Sequence, residues 1–391
     1  MEGNIVNYIT QIRGVSYKPS DLHDSLNKNS IILLRANNIN NGKINFEDVV
    51  YVDKSKVSET QVLRKNDILI CASSGSKKLV GKAASFNESI ECTFGAFCKV
   101  IRPRNILGSY LSAFFQSEYY KFHISQLANG ANINNIKNEH INSFSIPERS
   151  FEEQKEISYK VSSLNRIIES YNRELELLDE LIKARFVEMF GDPEDNPFKW
   201  DKMPLSNIML NANNGMARRG SDENGNIVLR LVELQDGYIN YSNPNRICLN
   251  ENEKKRYLLK NNDFLFARVN GNPDNVGRCA VFHDIGEDVY HNDHIIRVHF
   301  NEELLNGVFA SELINSNFGK RQLKKRIKTS AGQYTVSQDG IGAIVSIVPP
   351  LELQNQFASF VEEIDKSRSR IQKSLKASQE LFDSLMQEYF G

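Results

Sequence analysis

Gly75-Ser76-Lys77-Lys78-Leu79-Val80-Gly81-Lys82-Ala83 is the segment closest in residue type to a phosphate cradle. A nucleotide-binding P-loop places four residues between its first glycine and its Gly-Lys-Ser/Thr, so that successive backbone amides wrap the phosphates. Here five residues intervene, and Ala83 stands where a metal-binding hydroxyl is needed, so the segment is not a P-loop. His291, Asp293, His294 and His299 carry metal-binding groups. Strand alternation puts His294 and His299 on opposite faces, and the repeat described below pairs His291 and His294 with Thr93 and Ala96. No metal site is therefore expected. Asn196-Pro197-Phe198 lacks the second proline of an Asn/Asp-Pro-Pro-aromatic motif that methylates base amino groups, and no glycine-rich cofactor loop accompanies it. No Ser/His/Asp or Cys/His set recurs, so no catalytic residue is expected and no cofactor is expected on this chain.

What remains is hydrogen-bonding chemistry in loops. Ser, Asn and Arg side chains can address base edges, while Lys and backbone amides hold phosphates. Three loops occur in two versions each. The first holds Ser16, Tyr17 and Lys18 after Gly14, against Arg218 and Arg219 after Gly215. The second holds Ser73, Ser74, Ser76, Lys77 and Lys78, against Arg268, Asn270, Asn272 and Asn275. The third holds Asn129 and Asn132, against Gln333 and Tyr334. Lys324 and Lys325 lie in the densest basic run, which spans residues 320–328. Glycine-shaped hairpin loops and a solvated helix face are the plainer readings of the same residues.

These loops sit on a scaffold written twice. Leu34-Arg35 returns as Leu229-Arg230 at an offset of 195, and Asn66-Asp67-Ile68-Leu69 as Asn262-Asp263-Phe264-Leu265 at 196. Val80-Gly81-Lys82 returns as Val276-Gly277-Arg278, also at 196, and Glu152, Gln154 and Phe190-Gly191 as Glu352, Gln354 and Phe390-Gly391 at 200. A register that drifts so little marks a tandem duplication. Each copy opens with short β-type stretches and turns rich in Gly, Asn and Asp, followed by an apolar-periodic helix.

Each copy ends in a long helix after Pro147 or Pro349-Pro350. In the first, Ile157, Val161, Leu164, Ile168, Tyr171, Leu175, Leu178 and Ile182 alternate in steps of four and three. In the second, Phe357, Val361, Ile364, Ile371, Leu375, Phe382 and Leu385 follow the same series, interrupted by Arg368 and Ser378. One helix cannot bury such a stripe, so the two are expected to pair. The first helix, roughly 60 Å long, carries the chain away from its own domain, so the second must run back. The expected fold is α+β: two tandem-repeated mixed α/β domains, residues 1–150 and 192–350, separated by two long helices, residues 151–191 and 351–391, that form an antiparallel coiled coil with pseudo-twofold symmetry.

Composition is compatible with this. A chain of 391 residues, 40% hydrophobic and 25% charged, accommodates two ordinary domains. The net charge of −1 neither supports nor excludes a nucleic-acid partner. Five cysteines without a CxxC pair fit reduced thiols. With no apolar run of membrane-spanning length and no signal segment, the expected location is cytoplasmic.

The two variable domains closing in Ile-Pro or Val-Pro-Pro, the Glu-x-Gln helix starts, the Phe-Gly helix ends and the linker from Phe190-Gly191-Asp192-Pro193 through Asn196-Pro197 to Trp200 resemble the specificity subunits of type I restriction–modification enzymes. The Asn-Asp-Ile-Leu stretch and Gly130, Ala131, Asn132, Asn135 and Ile136 resemble the family too, over nearly the whole chain. Copy one lacks an equivalent of Trp200, and Gly332-Gln333-Tyr334 departs from the family's usual Gly-Ala-x-Gln. The resemblance implies that each domain is a target-recognition domain reading one half of a bipartite site in double-stranded DNA. It implies as partners two methylation subunits, which bind S-adenosylmethionine, and restriction subunits, which use ATP and Mg; no membrane partner is implied. A scaffold whose domains bind proteins, and a stand-alone modification enzyme, are the alternatives. Salt-dependent DNA affinity separates the first, and methyl transfer by the isolated chain separates the second.

Overall fold

The computed structural model describes residues 2–40, 42–76, 79–130, 135–330 and 332–391. Lys77, Lys78 and Asn132 of the candidate loops lie outside these residues, as does the side chain of Asn129. The chain divides into two units, Met1–Asn172 with Gln372–Gly391, and Arg173–Ile371. Both mix helices and sheets in the α+β manner.

The central sheet of the first unit is antiparallel, in the order Ile9–Arg13, Cys98–Pro103, Ile68–Cys71 and Ala83–Ser85. Ile68–Cys71 is buried along its whole length, which is why it reads as an unbroken apolar run rather than an alternation. A second sheet runs Cys92–Phe94, Ser30–Leu34, Val50–Asp53, Leu22–His23, its first pair parallel. Glu2–Asn4 pairs with Ser145–Pro147.

The second unit repeats this plan. Its central sheet is Met209–Asn214, Ile295–Phe300, Phe264–Ala267, Cys279–Val281. Asn226–Leu229 runs parallel to Val289–His291, and Asp201–Pro204 pairs with Val345–Val348. It also has a three-stranded sheet of Val269–Asn270, Gln333–Thr335 and Lys328–Ser330.

The repeated motifs are structural. Asn66 and Asn262 take left-handed φ values of 70° and 67°, a conformation Asn tolerates better than most residues. The following aspartates are fully buried. Asp67 accepts from Arg64 N at 2.8 Å and from Arg102 Nε and Nη2 at 2.8 and 2.7 Å. Asp263 accepts from Lys260 N at 2.7 Å and faces His299 Nδ1 at 3.0 Å and Arg297 Nη1 at 3.3 Å. Gly81 and Gly277 have positive φ, and a Cβ there would collide with Ile124 and Leu323.

Strand register corrects one expectation. Phe94 lies opposite Leu34, and His291 opposite Leu229. The counterpart of His291 is therefore Phe94 rather than Thr93, and that of His294 is Phe97 rather than Ala96. The offset has drifted because the connections between strands differ in length.

The long helices are Phe151–Phe190 and Leu351–Phe390, 40 residues each. Ser150 and Glu153 form a reciprocal cap at the start of the first. The repeated glutamines are sockets: Gln154 accepts from Leu107 N and donates to Arg149 O, both at 2.9 Å. Gln354 likewise accepts from Asn306 N at 2.8 Å and donates to Pro349 O at 2.8 Å. In the first unit Ile157 and Val161 are buried with Met386, Tyr389 and Phe390, with Phe382 and Leu385 packed alongside. Phe390 meets Tyr110 and Phe114 at ring separations of 5.1 and 6.0 Å. In the second unit Ile182, Phe186, Phe190 and Phe357 share a core, with Val361 and Ile364 against it. There Phe186 contacts Phe357, Arg185 lies over Phe360, and Asp179 pairs with Arg368 at 2.6 Å. Within this unit the two segments therefore run in opposite directions. Leu164, Ile168, Leu175, Leu178, Ile371 and Leu375 are half-buried.

Candidate nucleic-acid interface

In an antiparallel sheet the end of one strand lies beside the start of its neighbour, and this geometry gathers distant loops at one edge. In the second unit, Ala267 ends one strand where Ile295 begins the next. Arg268 N donates to His294 O at 2.8 Å, and Arg268 Nη1 to Asp293 O at 3.1 Å. Val336 N donates to Arg268 O at 2.9 Å, and Asn270 pairs with Tyr334. The second and third loops are thus one small sheet. The first loop joins them through Met216, whose N donates to His291 O and whose O accepts from Asp293 N, both at 3.0 Å. Gly215 is required there, since a Cβ would stand 2.3 Å from Asn292 O. Arg219 Nη2 lies 2.6 Å from Asp293 Oδ1 and 3.1 Å from His294 Nε2. The contact with Asp293 is close but not aligned as a hydrogen bond, because Asp293 Oδ1 has no such partner.

The first unit assembles the same way from different residues. Val15 N donates to Phe94 O at 2.8 Å, and a Cβ on Gly14 would stand 2.1 Å from Gly95 O. Ala72 N and Ser73 N both donate to Phe97 O at 2.9 Å, and Ile136 N donates to Ala72 O at 2.6 Å. Ser73 also bridges to Asn135. In each unit, then, the first and second loops meet at the turn between two strands, residues 95–97 in one and 292–294 in the other, and the described residues beside or within the third, 135–136 in one and 333–336 in the other, pair with the second loop.

The candidate side chains are not equally available. Ser16, Lys18 and Ser76 are exposed, while Tyr17, Ser73 and Ser74 are half-buried. Arg218 is bound to Glu253 at 3.0 and 2.8 Å and to Cys248 O at 2.6 Å. Asn270 and Asn272 accept from Asn272 N and Asp274 N, and Asn275 accepts from Arg278, so all three shape the loop. Gln333 is exposed, and Tyr334 packs on the core. Of the basic run, Lys320 pairs with Asp236, Arg321 with Glu194, and Arg326 donates to Gln322 O and Ala343 O. Lys325 and Lys328 are exposed, as is Lys324, whose nearest carboxylate, Asp274, is 3.9 Å away.

Sequence reasoning missed the turn itself. Phe97 is 71% exposed at its tip, and the residue type of His294 suggests a metal ligand rather than a tip residue. The available signal was that the turn joins two repeated strands. Buried Lys99 was missed as well: its Nζ donates to Gln11 Oε1 and Asn138 Oδ1 at 3.0 and 2.6 Å. Burial pulls its pKa down to about 8. It holds the short helix Asn138–Asn142 that follows the third loop.

Burial lowers the His291 pKa to about 4 and raises the thiols of Cys71, Cys92 and Cys98 to about 11, 12 and 12. Such thiols are inert; among the free cysteines Cys248 alone is exposed. Among the described residues no cluster of His, Cys, Asp and Glu could hold a metal ion, and no helix is long and apolar enough to cross a membrane.

Known proteins resemble the chain as a whole. Residues 9–180 match the family described as the type I restriction modification DNA specificity domain. The type I restriction enzyme StySPI specificity subunit of Salmonella potsdam is 33% identical over 391 residues, covering 97% of this chain and 84% of that protein. The EcoKI specificity subunit of Escherichia coli K12 is 30% identical over 383 residues, covering 94% and 82%. The crystal structure of a type I restriction–modification S subunit from M. genitalium matches with a TM-score of 0.59 at 15% identity, covering 100% of this chain and 96% of that one. That likeness is one of fold.

Proposed function

The chain belongs to the specificity subunits of type I restriction enzymes, and from that premise we propose that its two recognition domains each read one half of a bipartite DNA target. As a member of that family it determines sequence specificity and is not itself catalytic. The domains are residues 1–150 and 192–350, and the reading groups come from the loops named above. The single observation that carries this assignment is the convergence of the first two loops on the same turn in both units, with the same pairing beside the second loop and different side chains in each. A surface kept for its shape and varied in its content is what two readers of different base sequences require.

On this reading the long helices form an antiparallel coiled coil, relate the domains by a pseudo-twofold axis and fix the length of unread DNA between half-sites. They also dock two methylation subunits, which carry S-adenosylmethionine and modify adenine. Restriction subunits with ATP and Mg complete the assembly, in the cytoplasm. The apolar stripe from Ile157 to Ile182 and from Phe357 to Leu385 supports the pairing of the helices.

Mapping methylated adenines in DNA from cells that make this protein with its partners tests the reading. A two-part motif with a fixed gap is expected. Exchanging residues 1–150 for those of another family member should change one half-site only, and a change in both would end the modular reading. Lengthening both helices by a matched heptad should widen the gap and leave both half-sites intact.

A further inference from the structure

The turn that gathers the loops presents Phe97, the most exposed large apolar side chain among the described residues. Its position is fixed by backbone bonds. Cys98 N donates to Gly95 O at 2.8 Å, and Ala72 N and Ser73 N both donate to Phe97 O. The ring is therefore held out by a rigid turn, beside loops that carry the small hydroxyls of Ser16, Ser73, Ser74 and Ser76 together with Tyr17 and Lys18. Burying an aromatic ring contributes more than burying most other side chains, yet this one is left in water at the point where the first and second loops meet. In the second unit the equivalent tip is His294, whose Nε2 is 3.1 Å from Arg219 Nη2. The strand register leading into the turn is the same in both units. The backbone is kept and the tip is changed from apolar to polar.

We propose that the tip residue of this turn determines base preference, and that Phe97 packs on the C5-methyl group of a thymine in the half-site read by the first unit. This rests on the DNA-reading assignment above. Among base edges in the major groove, that methyl group is the apolar feature, and Phe is a side chain that contacts it. His294, with Arg219 beside it, instead offers hydrogen bonds to a polar base edge.

The test uses the full chain co-produced with its methylation subunits, once the target has been mapped. Each thymine of the first half-site is replaced in turn by deoxyuridine, which lacks only the methyl group, and binding is measured with the wild type, Phe97→Ala and Phe97→Leu. At one position the wild type should lose about fourfold in affinity, the worth of one buried methyl group. Phe97→Ala should show that loss already on thymine DNA and be indifferent to uracil, while Phe97→Leu should retain part of the discrimination. Substitutions in the other half-site should affect all three proteins alike. Because Phe97 is exposed, its replacement leaves the fold intact, and circular dichroism checks this. If Phe97→Ala weakens thymine and uracil duplexes equally, as a wedge between base steps would, or weakens neither, the thymine contact is refuted while specific binding stands. A wild type with no preference for its mapped target over scrambled DNA would refute the DNA-reading assignment as well.

Discussion

Replacing Phe390 by alanine tests how the end of the second long helix supports the first unit. Phe390 is 3% exposed. Its ring lies 5.1 Å from Tyr110 and 6.0 Å from Phe114, both fully buried. Truncating a buried phenylalanine costs about 3–5 kcal/mol. The loss of two aromatic pairs, each worth ~0.5–1.5 kcal/mol beyond area, places this site near the middle of that range or above, at about 4 kcal/mol. Amide hydrogen exchange reads the effect strand by strand. Amides of Ile68–Cys71 and Cys98–Pro103 should exchange roughly a thousandfold faster, since each 1.4 kcal/mol is tenfold. Amides of Phe264–Ala267 and Ile295–Phe300 in the second unit should stay protected. Phe190→Ala should give the converse pattern, because Phe190 sits among Phe186, Phe309 and Phe357. An acceleration below tenfold in the first unit, or an equal one in both, would refute the reasoning that each helix end completes one core.

His291 is buried with its pKa depressed to about 4 from 6.5, so the unfolded chain takes up a proton that the folded ring refuses. Stability should be full above about pH 6.5 and fall as pH drops toward 4. The loss should be about 2–3 kcal/mol at pH 4.5, measured as a shift in urea midpoint that His291→Phe abolishes. Asp293→Asn should free Arg219 from its carboxylate, raising affinity for non-target DNA and steepening the salt dependence, while binding to the mapped target improves less. Filter binding over a salt series on both DNAs measures this, and a larger gain on the target than on non-target DNA would contradict it.

Much of the architecture was legible in the sequence because a duplication displays its own constraints. Asn66 and Asn262, Gly81 and Gly277, and Gln154 and Gln354 recur because each meets the same backbone demand twice: a left-handed turn, a close approach, a helix socket. The stripe from Ile157 to Ile182 was readable because heptad spacing needs no knowledge of the partner. The interface was harder to read. Arg218 looked like a base reader by type, yet Glu253 lies thirty-five residues away in sequence and holds it. Asn270 and Asn272 looked free, but they satisfy the backbone of their own loop. An apolar residue next to a strand, such as Phe97, reads as core. The structure ties its carbonyl to Ala72 and Ser73 and leaves the ring in solvent.

The near-neutral net charge has a local counterpart with a consequence for recognition. In the second unit several cations of the candidate loops and the basic run already have carboxylate partners: Arg218 with Glu253, Arg219 with Asp293, Lys320 with Asp236. Such pairs hold side chains in defined positions and mask their charge from distant phosphates. On the proposed reading, binding DNA means exchanging one partner for another rather than gaining one. The exchange is favourable where the new acceptor has the right geometry, as a guanine edge or a well-placed phosphate has, and unfavourable elsewhere. A surface built this way gives up non-specific affinity for discrimination. That suits a subunit whose role is to choose among sites, because at most of the DNA it meets it should form no lasting complex.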